Sequence, residues 1–231
     1  MTTVRKYIFD FAILFIGITS AFYVENFRQD NEDKENLHKY LQGLVDDLKS
    51  DSIIYEEARV TLNNSRQNVD SLLLITDNDQ IENKIKIRLL ANSTLLIYDI
   101  GIDNNTNYKT LINSGQLKLI DDINYRKELK DYYRKTEVWL KDYDLEFRTF
   151  RTNELFPFLN NSFDLGDFYW DKGLKIVDDP KTNPKIFKNR QLKNYLFRTR
   201  QYLHDFGTTM EELKKINIEL KRTTEKKLGL E

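Results

Sequence analysis

The side chains able to do chemistry in this chain are few, and their spacing builds none of the common reactive sites. Cysteine is absent, which removes thiol catalysis and thiolate-bound zinc. His38 and His204 are the two imidazoles. The helices expected around them place the pair about 18 Å out of level at ~1.5 Å per residue, so no shared metal is expected. HExxH, P-loop and GxSxG patterns do not occur. Asp99 to Thr110 lacks the ligand spacing of a calcium loop. The acid pairs Asp46-Asp47 and Glu56-Glu57 fall on a charged helix face, where solvated carboxylates are the ordinary outcome. The chain is therefore expected to be non-enzymatic, with no metal and no cofactor.

One acid stands in an unusual place. Asp10 lies inside the apolar run Tyr7 to Val24, YIFDFAILFIGITSAFYV. Asp10, Leu14, Gly17, Ala21 and Glu25 recur every three or four residues, so on a helix they share a face. Small residues let a second backbone approach, and an acid inside a membrane faces protein or water rather than lipid. That stripe is the expected contact face for a second copy or another membrane protein, with Asp10 as a polar contact or a proton site. The alternative is that Asp10 lies near enough to the edge to reach the headgroups.

The element that must carry this stripe is a membrane helix. Eighteen residues make roughly 27 Å of helix, close to a hydrocarbon core of about 30 Å. Ten of them are Ile, Leu, Phe or Val, worth roughly 3 to 6 kcal/mol toward insertion against at most about 3 for Asp10. Tyr7 and Tyr23 sit at the two edges. A cleaved leader is the competing reading, with Arg5 and Lys6 as its basic head and Thr19-Ser20-Ala21 as its cleavage site. Asp10 interrupts the apolar region, however, and helical patterning resumes directly after Val24. The organisation expected is a short cytoplasmic tail at 1–6, a membrane helix at 7–24 and an exported domain at 25–231.

Beyond Val24 the pattern is helical. Eight Gly and three Pro in 231 residues leave few breaks. A heptad seam runs through Leu41, Leu48, Tyr55, Leu62 and Val69. A second takes Leu37, Leu44, Ala58 and Leu72, with Asp51 and Ser65 as polar exceptions. Gly43 is the one residue here that invites a kink. Thr76 to Asp79 reads as a turn, followed by a helix over about 80–98 with Ile81, Ile85, Leu89, Leu90 and Leu95 inward. Asp103 to Asn107 reads as a loop, Tyr108 to Ser114 as a short helix stopped by Gly115. Asp121 or Asp122 caps a long helix that ends at Pro157. Its seams are Leu129, Thr136, Tyr143 and Phe150, and Tyr133, Leu140 and Phe147.

Residues 158–184 are the least regular. Phe163, Phe168, Tyr169 and Trp170 there are expected to cover one end of the bundle, or to form a ligand or partner patch. The last helix, about 185–228, repeats Leu192, Thr199, Phe206, Leu213 and Leu220, with Leu196, Leu203 and Met210 alongside. The fold class is all-α: a membrane helix continuing into an elongated up-down bundle of about four helices. The final helix then returns Lys221, Arg222, Lys226 and Lys227 toward the membrane, where they meet anionic headgroups or simply suit the helix dipole. A net charge of −1 and the absence of a basic stripe among aromatics give no reason to expect nucleic acid.

Two segments carry a family resemblance. FDFAILFIGITSAFYVENFRQ, residues 9–29, resembles the opening of a family of single-pass membrane proteins, themselves uncharacterised, of Bacteroidetes-type bacteria. That family has an acid, an apolar run with an internal Gly and an Asn-rich exit, matched here by Asp10, Gly17 and Asn26. Asp10 stands where Glu is common and Phe27 where Trp is usual. YKTLINSGQLKLIDD, Tyr108 to Asp122, with Leu129 and Tyr132-Tyr133 after it, is similar to the family's short helix, Ser-Gly turn and following helix. The resemblance implies an anchor in the bacterial inner membrane and a helical domain outside it, and no activity. The function expected is an interaction, scaffold or sensory protein acting in an oligomer on the bilayer. The alternative is an accessory subunit of a proton-driven complex that uses Asp10.

Overall fold

The computed structural model describes residues 2–94, 106–170 and 174–230. The fold is all-α, with one two-stranded hairpin as an addition that periodicity did not announce. Helix α1 runs unbroken from Thr2 to Ile75, about 110 Å at ~1.5 Å per residue. Gly43 does not break it. After a turn at Thr76 to Gln80 come α2, Asn83–Thr94, and α3, Thr106–Asn113. The expected positions Leu95 and Asp103 to Asn105 lie outside the described residues.

Gly115 closes α3 with φ 70°, the left-handed conformation glycine adopts freely. Asp122 then caps α4, Ile123–Lys135, by accepting from the Tyr125 amide at 3.0 Å. Helix α4 continues through a π turn at Thr136–Leu140 into α5, Lys141–Phe150. A second π turn at Arg151–Leu155 leads to α6, Phe156–Ser162. Pro157 does not end the helix. It lies in the first turn of α6, just past the second π turn, where the Phe156 N–H reaches back to the Arg151 carbonyl.

Strands β1, Phe168–Trp170, and β2, Leu174–Ile176, pair antiparallel. A 3₁₀ turn at Pro184–Lys188 precedes α7, Arg190–Lys227, capped by Asn189. Helices α1 and α7 are antiparallel neighbours in one fixed register. Glu56 meets Lys214 at 2.6 Å, Arg66 meets His204 at 3.2 Å, Asp70 meets Arg200, and Asp77 meets Lys193 at 2.7 Å. Each step forward on α1 is one step back on α7. The α4–α6 run lies antiparallel to α7 as well, through Asp122 to Lys227, Tyr125 to Thr224 and Glu154 to Arg198. Helices α2 and α3 pack on α1.

The core follows the two seams of α1 and every seam residue of α7: Leu192, Leu196, Thr199, Leu203, Phe206, Met210, Leu213 and Leu220 are all buried. In α2 the inward face is turned from expectation. Ile85 is exposed, and Lys86 is buried in its place, donating to the carbonyls of Thr76 at 3.3 Å and Asn78 at 2.8 Å. Its apolar stem is covered while its ammonium closes the end of α1.

The amino-terminal part of α1 takes no part in this core. Among the described residues one helix is long and apolar enough to cross a membrane. Its most apolar eighteen residues average a hydropathy of 1.7, and none is buried. Between that stretch and the first core contacts at Leu37 and Leu41, the helix is laced by Glu25–Arg28, Arg28–Glu32 and Glu35–Lys39 pairs at 2.7 to 2.9 Å. Such pairs support a helix with no neighbours.

Candidate functional site

A buried polar layer runs across α1, α4 and α7. Asp51 occupies a seam position of α1 and is 2 % exposed. Tyr55 follows one turn later, Tyr132 comes from α4 and Asn217 from α7, each at 0 %. The Tyr132 hydroxyl is the hub. It donates to Asp51 Oδ2 at 2.7 Å, and accepts from Asn217 Nδ2 at 2.9 Å and from the Tyr55 hydroxyl at 2.9 Å. A phenol offers one proton and two lone pairs, and all three are used.

A turn below, Asp47 holds α3 against α1. Its carboxylate accepts from Asn107 Nδ2 at 2.8 Å and from the Asn107 amide at 3.1 Å, while Asn107 Nδ2 also reaches the Gly43 carbonyl at 3.2 Å. A Cβ at Gly43 would stand 2.5 Å from Asn107 Oδ1. Glycine at this position admits the asparagine; it does not bend the helix. Tyr133 stacks flat on Tyr108 of α3, centroids 4.0 Å apart, and meets Tyr132 edge-on at 5.0 Å.

The electrostatics follow from burial. Burial pushes the Asp51 carboxyl up to about 6; the Tyr132 hydrogen bond opposes this, and the charge of Asp47 adds to it. Asp47 is raised too, chiefly by burial, with the Asn107 bonds opposing. Tyr55 is pushed up to about 12 by burial and then the charge of Asp51. Tyr132 and Tyr133 are held far above the usual phenol range by burial first, then by Tyr55 and Asp51 for Tyr132 and by Asp47 and Asp51 for Tyr133. No cation among the described residues is hydrogen-bonded to Asp51. Asp51 Oδ1, Asn217 Oδ1 and the Tyr133 hydroxyl make no hydrogen bond to protein. The layer can bind and release a proton near neutrality, and it can fix the mutual height of three helices, because shifting any one of them strands a buried polar atom.

The residues expected to form a site fall elsewhere. Asp10, Leu14, Gly17, Ala21 and Glu25 all lie exposed along α1. A Cβ at Gly17 would meet nothing within 4 Å, and Glu25 pairs with Arg28. Of the aromatic group, Phe163 is buried with its ring 5.7 Å from Phe187. Phe168, Tyr169 and Trp170 form β1, and their side chains lie outside those described. His38 and His204 are separated by about 42 Å along α1, since His204 stands level with Arg66; the expected 18 Å assumed too even a bundle. Among the described residues no group of three or more His, Cys, Asp or Glu could hold a metal.

The carboxyl-terminal cations do not approach a membrane at Val24. The α1–α7 register sets Lys227 level with Gly43, about 28 Å beyond Val24 and several screening lengths away. Lys227 instead pairs with Asp122 at 2.9 Å and lies 4.9 Å over the Tyr125 ring. The central layer was signalled in the sequence by Asp51 at a seam position. Its partners Tyr132 and Asn217 gave no such signal. Compared with family models, with curated proteins and with solved structures, the chain finds no match.

Proposed function

We propose that the chain is a membrane-anchored helical interaction or sensory protein that acts in an oligomer. Residues 7–24 cross the bacterial inner membrane, 1–6 remain cytoplasmic, and the bundle stands in the periplasm. The observation that carries this reading is the continuity of α1. One helix without a break supplies both the bare apolar segment and the longest wall of the core. Whatever shifts or rotates the apolar segment therefore moves the bundle with it, and the polar layer around Tyr132 restricts that motion to discrete registers.

The absence of cysteine makes a clean test. Gly17→Cys and Ala21→Cys on the small-residue face, and Phe15→Cys on the opposite side, are oxidised in isolated membranes. Disulfide-linked dimers at Gly17 and Ala21 but not at Phe15 are expected. A chain that leaves the membrane fraction under alkaline wash would sink the anchor. Equal cross-linking at all three positions would remove the specific face.

A further inference from the structure

Three of the four contacts that step along the α1–α7 seam pair an acid with a base: Glu56 with Lys214, Asp70 with Arg200, Asp77 with Lys193. The fourth sets a base against an imidazole. Arg66 Nη1 donates to His204 Nδ1 at 3.2 Å and Nη2 to Asn63 Oδ1 at 3.4 Å. No carboxylate among the described residues is paired with Arg66. An arginine is a donor only, so in this contact His204 Nδ1 is the acceptor.

At this level the seam opens into a cleft of about 220 Å³. Arg59, Asn63 and Arg66 line it from α1, and His204, Gly207 and Thr208 from α7. Leu62 and Leu203, nearly fully buried, close its floor. Gly207 lies in the middle of a 38-residue helix, where glycine is less favourable than alanine. A Cβ there would meet nothing within 4 Å, so close helix packing does not call for the glycine. Its effect is to leave backbone bare on the cleft wall.

We propose that this cleft binds a small carboxylate anion, which supplies the acid missing from the Arg66 rung. The planar guanidinium fork of Arg66 matches a carboxylate, and the imidazole stands beside it; the Thr208 hydroxyl on the same wall donates to the His204 carbonyl at 3.0 Å. Arg59 adds a second cation but is already held by Glu56 at 2.6 Å. Glu211 places a further negative group on the rim. That balance favours a singly charged anion over a phosphate dianion. Binding at this cleft does not depend on where the amino-terminal segment of α1 resides.

The chain carries two histidines, so imidazole carbon–proton resonances of the full-length protein in detergent micelles report the site directly. His38, far along α1, is the internal control. Sodium acetate and sodium propionate are titrated at constant ionic strength, with sodium chloride and sodium phosphate as comparators. A saturable movement of the His204 signals with still His38 signals is expected. Arg66→Met should weaken it by about ten- to a hundredfold, the usual range for a charge-assisted hydrogen-bonded pair. Gly207→Leu should block it with helical circular dichroism unchanged. Chloride producing the same movement, both histidines moving together, or Arg66→Met binding like the parent would overturn the site. Phosphate binding more tightly than acetate would overturn the assignment to carboxylates.

Discussion

The Tyr132 hydroxyl and the Asp51 carboxylate stand 2.7 Å apart in the middle of the bundle, joining α4 to α1 where neither side chain reaches solvent. With Asp51 ionised, the only proton of Tyr132 is committed to it, and Tyr55 and Asn217 must both donate to the same oxygen. The directions of the Tyr132–Asp51 and Tyr55–Tyr132 bonds are thus set by the state of one carboxyl, while Asn217 Nδ2 donates in either state.

Tyr132→Phe removes three hydrogen bonds at once and leaves a buried carboxylate without a donor. A loss of about 2 to 4 kcal/mol is expected, read as a fall in thermal midpoint by circular dichroism. Tyr133→Phe is the matched control. Its hydroxyl is buried and makes no hydrogen bond, so the substitution is expected to be neutral or stabilising by up to about 1 kcal/mol.

Asp51→Asn isolates the proton-linked contribution. The native carboxyl is held at about 6 against an ordinary 3.8, so the folded chain binds this proton more tightly than the unfolded chain. Ionised Asp51 therefore costs stability above pH 6. That cost falls as pH drops from 6 toward 4, and is absent once both states are protonated. Asn carries no such charge. The stability difference, variant minus parent, should grow by up to about 3 kcal/mol between pH 4 and pH 7.5. A flat difference across that range in paired thermal melts would contradict the assignment.

How much of this was legible beforehand depends on what periodicity can see. The strict seven-residue repeat of Leu192, Thr199, Phe206, Leu213 and Leu220 named the buried face of α7 without error, because a long helix in a bundle has one face to hide. Asp51 and Ser65 were visible as polar residues in an apolar seam. What they touch was not: Tyr132 lies 81 residues from Asp51, and period says which side of a helix is covered, never by whom. Ile85 was expected inward and is exposed, because a twelve-residue helix gives too few turns to fix its phase, and a lysine such as Lys86 can bury its stem. The π turn ahead of Pro157 and the three-residue strands leave no repeat to detect.

Gly43→Ala places a methyl group where Asn107 Oδ1 lies. The side chain must swing away and give up its bonds to Asp47 and to the Gly43 carbonyl. A loss of about 1 to 3 kcal/mol is expected, with amide exchange accelerating in α3 before the rest of the fold.

Gly207→Ala should do the opposite. The added Cβ has open space, and an interior helical glycine is about 1 kcal/mol less favourable than alanine. The thermal midpoint should rise by roughly 2 to 4 °C for a domain of this size.

From Val24 to Leu37, α1 travels about 20 Å with no core neighbour among the described residues. Only its own turns and the Glu25, Arg28, Glu32, Glu35 and Lys39 pairs hold it wound, so local opening there is far easier than in the bundle. A protease reaching this bare rod would sever the chain while leaving every packed contact intact. Release of a whole, folded bundle is therefore built into the same helix that carries the apolar segment.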